Sequence, residues 1–266
     1  MLTYLGVCGW PVGHSLSPAM HNAALAAAGL EDWRYLRLGL PGDLFAETVR
    51  ALPAAGFRGV NVTIPHKEAA LALADEASDA ARAIGAANTL TFEGGAILAD
   101  NTDAPGLLQA IGRDVAGQTA LVLGAGGAGR AAVWALREAG AEVAVWNRTA
   151  GRAVALAEAL GVRAAAGYEP ADVLVNATSI GLKDPAATFK SLPLEADSLV
   201  AGSLVVDLVY RAGGTPLLEA ARTRGADVVD GLEVLIAQGA ASFERWTGRA
   251  APRQAMREAV HHIAKS

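Results

Sequence analysis

Short runs of apolar residues alternate along the chain with longer stretches in which apolar positions recur every three or four residues, the pattern of strands alternating with helices. Residues 2–9 form an apolar run of strand length, and residues 18–28 are Ala-rich with helical spacing, with Gly29 placed to stop the helix. The same pattern predicts strands at 35–40 and 59–64 and helices at 44–55, 67–74 and 78–84. Two further strands, 89–92 and 96–99, are joined by the turn Glu93-Gly94-Gly95. A connecting helix over 103–111 leads into a second series. Its strands fall at 119–123, 142–146, 173–176, 204–207 and 226–229, and its helices at 130–139, 152–160 and 216–224. From Leu232 onward the pattern is helical to the end, with a break at 248–252.

This alternation predicts the α/β class, with mostly parallel sheets and right-handed crossovers. A length of 266 residues suits one large or two modest domains. The expected plan is two α/β domains, residues 1–103 and 104–237, with the final helices, about 238–266, returning to the first. A hydrophobic fraction of 52% supplies a core, and a charged fraction of 18% does not fit a disordered chain. The net charge of −5 and pI near 5.6 argue against nucleic acid as a partner, while leaving room for small anions. Cys8 is the only cysteine, in an apolar setting, so a buried thiol is expected rather than a disulfide or a zinc ligand. His21, His261 and His262 have no neighbours suggestive of a metal site, and none is expected. The start shows no basic segment followed by an apolar stretch, and no apolar run reaches the length of a membrane span. A cytoplasmic protein without a membrane partner is expected.

The strongest local signal is Leu121-Val122-Leu123-Gly124-Ala125-Gly126-Gly127-Ala128-Gly129-Arg130, with a strand before it and a helix after it. Gly124 permits the tight turn, Gly126 and Gly127 let backbone N–H groups approach a pyrophosphate, and Gly129 permits close helix–strand packing. The helix N-terminus then faces the phosphates with free N–H groups and the positive end of its dipole. An acid commonly follows the next strand where NAD is bound; this chain has Asn147, Arg148 and Thr149. A guanidinium there suits a 2′-phosphate, so NADP is the expected cofactor, with Arg152 a candidate second cation.

The first domain carries polar clusters where loops are predicted: His14-Ser15-Leu16-Ser17-Pro18, Asn61-Val62-Thr63-Ile64-Pro65-His66-Lys67, Ala86-Ala87-Asn88-Thr89 and Asp100-Asn101-Thr102-Asp103. Ser17 followed by Pro18 reads as an ordinary N-cap with proline at the first helical position. Capping accounts for Ser17 well and Ser15 less well, and two hydroxyls at a helix start also suit a carboxylate ligand. His14 and His66 are expected to orient or pack loops.

Together with Asn147-Arg148-Thr149, Asn176-Ala177-Thr178-Ser179, Asp230-Gly231-Leu232 and Gln238, these segments occur in an order that resembles the shikimate dehydrogenase family over nearly the whole chain. The Ser-x-Ser and Asn-Val-Thr-x-Pro-x-Lys pieces are its specific signatures. The resemblance implies a substrate-binding catalytic domain followed by a Rossmann NADP-binding domain, and a small-molecule substrate, shikimate or 3-dehydroshikimate. It implies that Ser15 and Ser17, with Tyr210, hold the substrate carboxylate, and that Thr63, Asn88 and Gln238 bond ring hydroxyls. Lys67 and Asp103 would form the catalytic pair, also touching substrate. The cofactor would meet Gly124, Ala125, Gly126, Gly127, Ala128, Asn147, Arg148, Thr149, Arg152 and Thr178, with Leu208 and Gly231 near the nicotinamide, and Asp79 as in some members. The family often has Asn-Pro or a similar pair after the tyrosine; Tyr210-Arg211-Ala212-Gly213-Gly214 departs from this and predicts a more mobile loop. Rival readings are a quinate/shikimate dehydrogenase using NAD, an NADP- or cyclic-acid-sensing module without catalysis, and an enzyme for an aminated shikimate analogue. Arg148 and Ser17 argue against the first, and the presence of Lys67 and Asp103 against the second. A monomer or homodimer is expected.

Overall fold

Two sheets of six strands each, flanked by helices, make up the computed structural model, which describes residues 2–211 and 213–265. The first sheet contains β1 (Thr3–Gly9), β2 (Trp33–Gly39), β3 (Phe57–Val62), β4 (Glu76–Ala77), β5 (Thr89–Glu93) and β6 (Ala96–Asp100), in the order β2-β1-β3-β5-β6-β4. Three of its pairings are parallel, while β5 runs antiparallel to both β3 and β6. The reversal between β5 and β6 follows from the short Gly94-Gly95 turn, which leaves no length for a crossover. The helices of this series are α1 (Ser17–Ala27), α2 (Gly42–Ala51), α3 (Lys67–Leu73), α4 (Asp79–Ile84) and the start of α5 (Asp103–Ile111).

The second sheet is parallel throughout, in the order β12-β11-β10-β7-β8-β9. Its strands are β7 (Thr119–Leu123), β8 (Glu142–Trp146), β9 (Arg163–Ala164), β10 (Val173–Asn176), β11 (Leu204–Asp207) and β12 (Asp227–Asp230). Both faces are covered, which is why its central strands read as unbroken apolar runs. Val122, Val145, Val175 and Val206 enter one core, whereas Leu121, Leu123, Leu174 and Val205 enter the other. Helices α6 (Gly127–Glu138), α7 (Ala150–Leu160), α8 (Thr188–Ser191) and α9 (Pro216–Thr223) belong to this series.

The chain forms two compact units. One runs to Gly106 and resumes over Leu235–Ile263; the other is built on Leu107–Val234. Helix α10 (Gly231–Thr247) therefore starts in the second unit and ends in the first, followed by α11 (Arg253–Lys265). The return of the last helices to the first unit has direct anchors: Trp246 Nε1 donates to the Leu90 carbonyl at 3.1 Å, and Asn61 donates to Ser242 at 2.9 Å.

Several predicted bounds shift by one or two residues, and two differences have a clear cause. The helix expected over 44–55 is α2 followed by a 3-10 turn, Leu52–Ala55, because Pro53 cannot donate the next helical bond. The helix expected from Arg130 begins at Gly127, so the last glycines of the turn lie inside its first turn.

Candidate active site

Two strand ends build the polar end of the first sheet. At the end of β3, Thr63 N–H donates to the Cys8 carbonyl at 2.8 Å, and His66 N–H to the Thr63 carbonyl at 3.0 Å. This tight path delivers Lys67 as the first residue of α3. His66 is buried, stacks on Phe45 with ring centroids 4.3 Å apart and bonds the Leu40 carbonyl at 2.7 Å, a packing role. At the end of β6, Asn101 Oδ1 accepts the N–H groups of Asp103 and Ala104 at 3.1 and 3.2 Å and so caps α5, delivering Asp103 as its first residue. Asn101 itself is held by Asp100, whose other oxygen pairs with Arg245.

Lys67 Nζ donates to Asp103 Oδ2 at 2.5 Å, with side chains only 11% and 19% exposed. The other carboxylate oxygen accepts Asn88 Nδ2 at 2.9 Å. Asn88 also donates to Thr102 Oγ1 at 2.9 Å and to Gln238 Oε1 at 3.3 Å. Gln238 reaches this point because Gly106 lets α10 approach α5: a Cβ on Gly106 would sit 2.7 Å from the Gln238 nitrogen. Lys67, Asp103, Asn88 and Gln238, recognised separately along the sequence, are thus joined in one hydrogen-bonded group.

The reading of Ser17 as an N-cap is corrected. Helix α1 begins at Ser17 with Leu16 in the capping position, and no side chain makes a cap bond there. Ser15 Oγ instead accepts the Ser17 N–H at 3.3 Å, because Leu16 already has helical backbone angles and brings the helix start one residue forward. The Ser15 carbonyl accepts Arg37 Nη2 at 2.8 Å. Support of the helix start therefore explains Ser15, and leaves the Ser17 hydroxyl to other work. Asp79 opens α4 on the surface and pairs with Arg82 at 2.7 Å rather than with the Lys67 group.

In the second unit, Gly124 has φ +112°, and a Cβ on Gly129 would collide with the Gly124 carbonyl oxygen. The turn is thus closed against the first turn of α6 by contacts only glycine permits. Around Gly126 nothing comes within 4 Å of an added Cβ, so the start of α6 faces open space, with no side chain capping it. Gly127 and Ala128, half-buried, are the first residues of that helix. Asn147 Oδ1 accepts the Ala125 N–H at 3.1 Å and its amide donates to the Thr149 carbonyl at 3.0 Å, tying the end of β8 to the turn. Arg148, Thr149 and Arg152 lie at or beyond that strand end, with Arg152 exposed on α7. Free backbone donors, open space and cations without an acid in Asn147-Arg148-Thr149 fit a phosphorylated dinucleotide. Thr178 is fixed by two bonds to Asn176 Oδ1, at 3.1 and 2.7 Å, and Gly231 packs on the carbonyls of Asp207 and Leu208. Tyr210 belongs to this unit, and Ala212 of its loop lies outside the described residues.

A buried triad shapes the same end of the second sheet, and sequence reasoning does not find it. Asp207 accepts Asn176 Nδ2 at 2.9 Å, Thr215 Oγ1 at 2.7 Å and the Val209 N–H at 3.1 Å. Burial pushes its carboxyl up to about 6 despite these donors, with Asp230 adding repulsion. Polar residues ending two adjacent apolar strands are the available signal. Among the described residues no group of three or more His, Cys, Asp or Glu is placed to hold a metal ion, and no helix is long and apolar enough to cross a membrane.

Comparison with known proteins adds an independent finding. Residues 7–90 match the shikimate dehydrogenase substrate binding domain, residues 106–180 the shikimate / quinate 5-dehydrogenase family, and residues 231–261 the shikimate 5'-dehydrogenase C-terminal domain. The chain is 50% identical over 263 residues to a Thermus thermophilus protein named shikimate dehydrogenase (NADP(+)), covering 96% of each. A Caulobacter vibrioides protein of the same name is 46% identical over 260 residues, with 92% of this chain and 90% of that protein covered. Among solved structures, a Thermus thermophilus shikimate 5-dehydrogenase in complex with NADP(H) and shikimate superposes with a TM-score of 0.89 at 45% identity, covering 98% of this chain and 99% of that one.

Proposed function

This chain belongs to the shikimate dehydrogenase family, and from that premise we propose that it interconverts 3-dehydroshikimate and shikimate with NADP as cofactor. The observation that carries the reading is the Lys67–Asp103 contact of 2.5 Å, built by two strand ends and largely withdrawn from water. Reducing a ketone requires a hydride at carbon and a proton at oxygen. NADPH, when bound, supplies the hydride. Lys67 Nζ stands beside the ketone oxygen, donates a hydrogen bond to the charge that develops there and hands over a proton. Asp103 holds the ammonium in place through Oδ2. Thr63, Asn88 and Gln238 orient the ring through its hydroxyls, and Ser15 and Ser17 receive the carboxylate.

On this reading the first unit is the substrate-binding catalytic domain and the second the NADP-binding domain. The second would hold the pyrophosphate at the turn from Gly124 to Ala128, where the Gly124 and Ala125 N–H groups are taken by Trp146 and Asn147 and those from Gly126 to Ala128 are left to offer, and the 2′-phosphate with Arg148, Asn147, Thr149 and Arg152; Thr178, Leu208 and Gly231 would meet the nicotinamide. The enzyme works in the cytoplasm on small molecules, as monomer or homodimer. The test follows NADPH absorbance with purified protein: a rise that requires both shikimate and NADP is expected. No rise with shikimate, or an equal rate with quinate and NAD, would overturn it.

A further inference from the structure

Behind Lys67 and Asp103 lies a closed group of polar side chains for which the reaction has no direct use. Tyr35, Asn61, Thr89, Thr102 and Ser242 are all buried, although Asn61 and Ser242 are 181 residues apart in sequence. Their hydrogen-bond directions can be assigned one after another. Tyr35 Oη donates to Asn61 Oδ1 at 2.8 Å, so the amino end of that amide faces away from Tyr35. From there it donates to Ser242 Oγ at 2.9 Å, with the Thr89 hydroxyl and the Asn88 carbonyl each 3.2 Å away. Ser242 sends its own proton to the Gln238 carbonyl at 3.1 Å, leaving its oxygen to accept the Thr102 hydroxyl, also 3.1 Å away. With its proton so directed, Thr102 Oγ1 accepts one N–H of Asn88 at 2.9 Å. The Thr102 backbone N–H, 2.7 Å from Asn88 Oδ1, requires the carbonyl end of that amide to face it. The second N–H of Asn88 is then aimed at Asp103 Oδ1 at 2.9 Å.

We propose that Asn61 and Ser242 are positioning residues for the catalytic pair: by holding the Thr102 side chain they place the acceptor of the Asn88 amide, and through that amide the carboxylate that holds Lys67. The proposal rests on the assignment of Lys67 and Asp103 as that pair. Without the Ser242 hydroxyl, Thr102 Oγ1 loses its partner on the side away from Asn88 and Asn61 loses its best acceptor, so the Thr102 side chain that receives the Asn88 N–H is less firmly held. Asp103 then keeps its contact with Lys67, while the Asn88 donor that fixes its plane shifts with Thr102. Small misplacements of a catalytic group cost rate more than ground-state binding.

The test is a double-mutant cycle read in kcat, with NADP affinity and thermal unfolding measured on each protein. Ser242→Ala is expected to lower kcat about tenfold while NADP affinity stays within about twofold, and to add nothing further in an Asn88→Ala background. Asn61→Asp, which keeps the shape and reverses the donor end, is expected to behave likewise. Ser242→Cys, close in volume and a weak acceptor, serves the same cycle if the alanine variant does not fold. An unchanged kcat, or the same loss in both backgrounds, overturns the proposal, since a general packing defect adds regardless of Asn88. Lys67→Ala in the same assay separates the two levels. A fully active Lys67→Ala removes the catalytic pair itself; an inactive one beside unaffected Ser242 and Asn61 variants removes only the positioning role.

Discussion

The first unit buries amide and hydroxyl side chains, Asn61, Asn88, Thr89, Thr102 and Ser242, and uses them to present two ionisable groups at its polar end. In the second unit the buried polar side chains Asn176, Asp207 and Thr215 close on one another, and what is presented is backbone: a glycine turn and the start of α6, with cations beside them. The contrast follows from the chemistry each proposed ligand demands. A pyrophosphate is met by fixed N–H dipoles, which glycine exposes by having no side chain. A reacting carbonyl needs a movable proton in a fixed place, and that requires side chains whose rotamers are locked by satisfied neighbours. The units should therefore fail differently.

The largest effect is expected at the side-chain end. Lys67→Ala should lower kcat about a thousandfold or more while the shikimate KM hardly changes, because proton donation and charge stabilisation vanish together. Steady-state rates check this, and activity within about threefold of wild type would end the assignment. At the backbone end, the counterpart is Gly129→Ala. Its Cβ would collide with the Gly124 carbonyl, and neither backbone can yield freely. A stability loss of about 1–3 kcal/mol, read by chemical denaturation, and weakened NADP binding are expected; unchanged stability would mean that the turn is not held as described.

Next come the polar contacts at each end. Arg148→Ala should weaken NADP about ten- to a hundredfold and leave NAD nearly unaffected, since a charge-assisted bond to the 2′-phosphate contributes about 1.5–3 kcal/mol. Ser17→Ala should raise the shikimate KM by a similar factor without touching NADP affinity. Equal weakening of both cofactors would make Arg148 structural, and lost NADP binding in a folded Ser17→Ala would break the division between the units.

The smallest effect per step is in pH dependence, and the units should pull in opposite directions. His21 is fully buried, stacked on Tyr35 with centroids 4.3 Å apart, and burial lowers its pKa from 6.5 to about 3. A depressed pKa favours the neutral ring in the fold, so this stabilisation is complete above 6.5 and is lost as pH falls toward 3. Asp207 is the reverse: its pKa is raised by burial from 3.8 to about 6, so its contribution is complete below 3.8 and is lost as pH rises to 6. Each slope is at most about 1.4 kcal/mol per pH unit. His21→Phe should flatten the acid side of a stability–pH curve, and Asp207→Asn should remove the opposing slope between 3.8 and 6; curves parallel to wild type would show that neither group titrates as described.

Legibility in the sequence follows the same division. The strands predicted at 119–123, 142–146, 173–176 and 204–207 coincide with β7, β8, β10 and β11, because strands buried on both faces are apolar without interruption. The two-residue edge strands Glu76–Ala77 and Arg163–Ala164 escape the pattern, being too short to carry a period and each opening on a charged residue. The glycine turn is readable because its ligand chemistry is local. Lys67 and Asp103 are readable through family-like segments, but Ser242 is not, since a serine in an apolar helix has no meaning until Asn61 is placed beside it. Gly106 is silent for the same reason: its need for a missing side chain comes from Gln238, far along the chain.

The claim that proton chemistry belongs to one unit and NADP recognition to the other is tested most directly by calorimetric titration of NADP into wild type, Lys67→Ala and Arg148→Ala, with turnover measured on the same samples. Lys67→Ala should bind NADP within about twofold of wild type while turning over about a thousandfold more slowly, and Arg148→Ala should bind about ten- to a hundredfold more weakly yet retain most of its kcat at saturating cofactor. Loss of NADP affinity in Lys67→Ala to the extent seen in Arg148→Ala would contradict it.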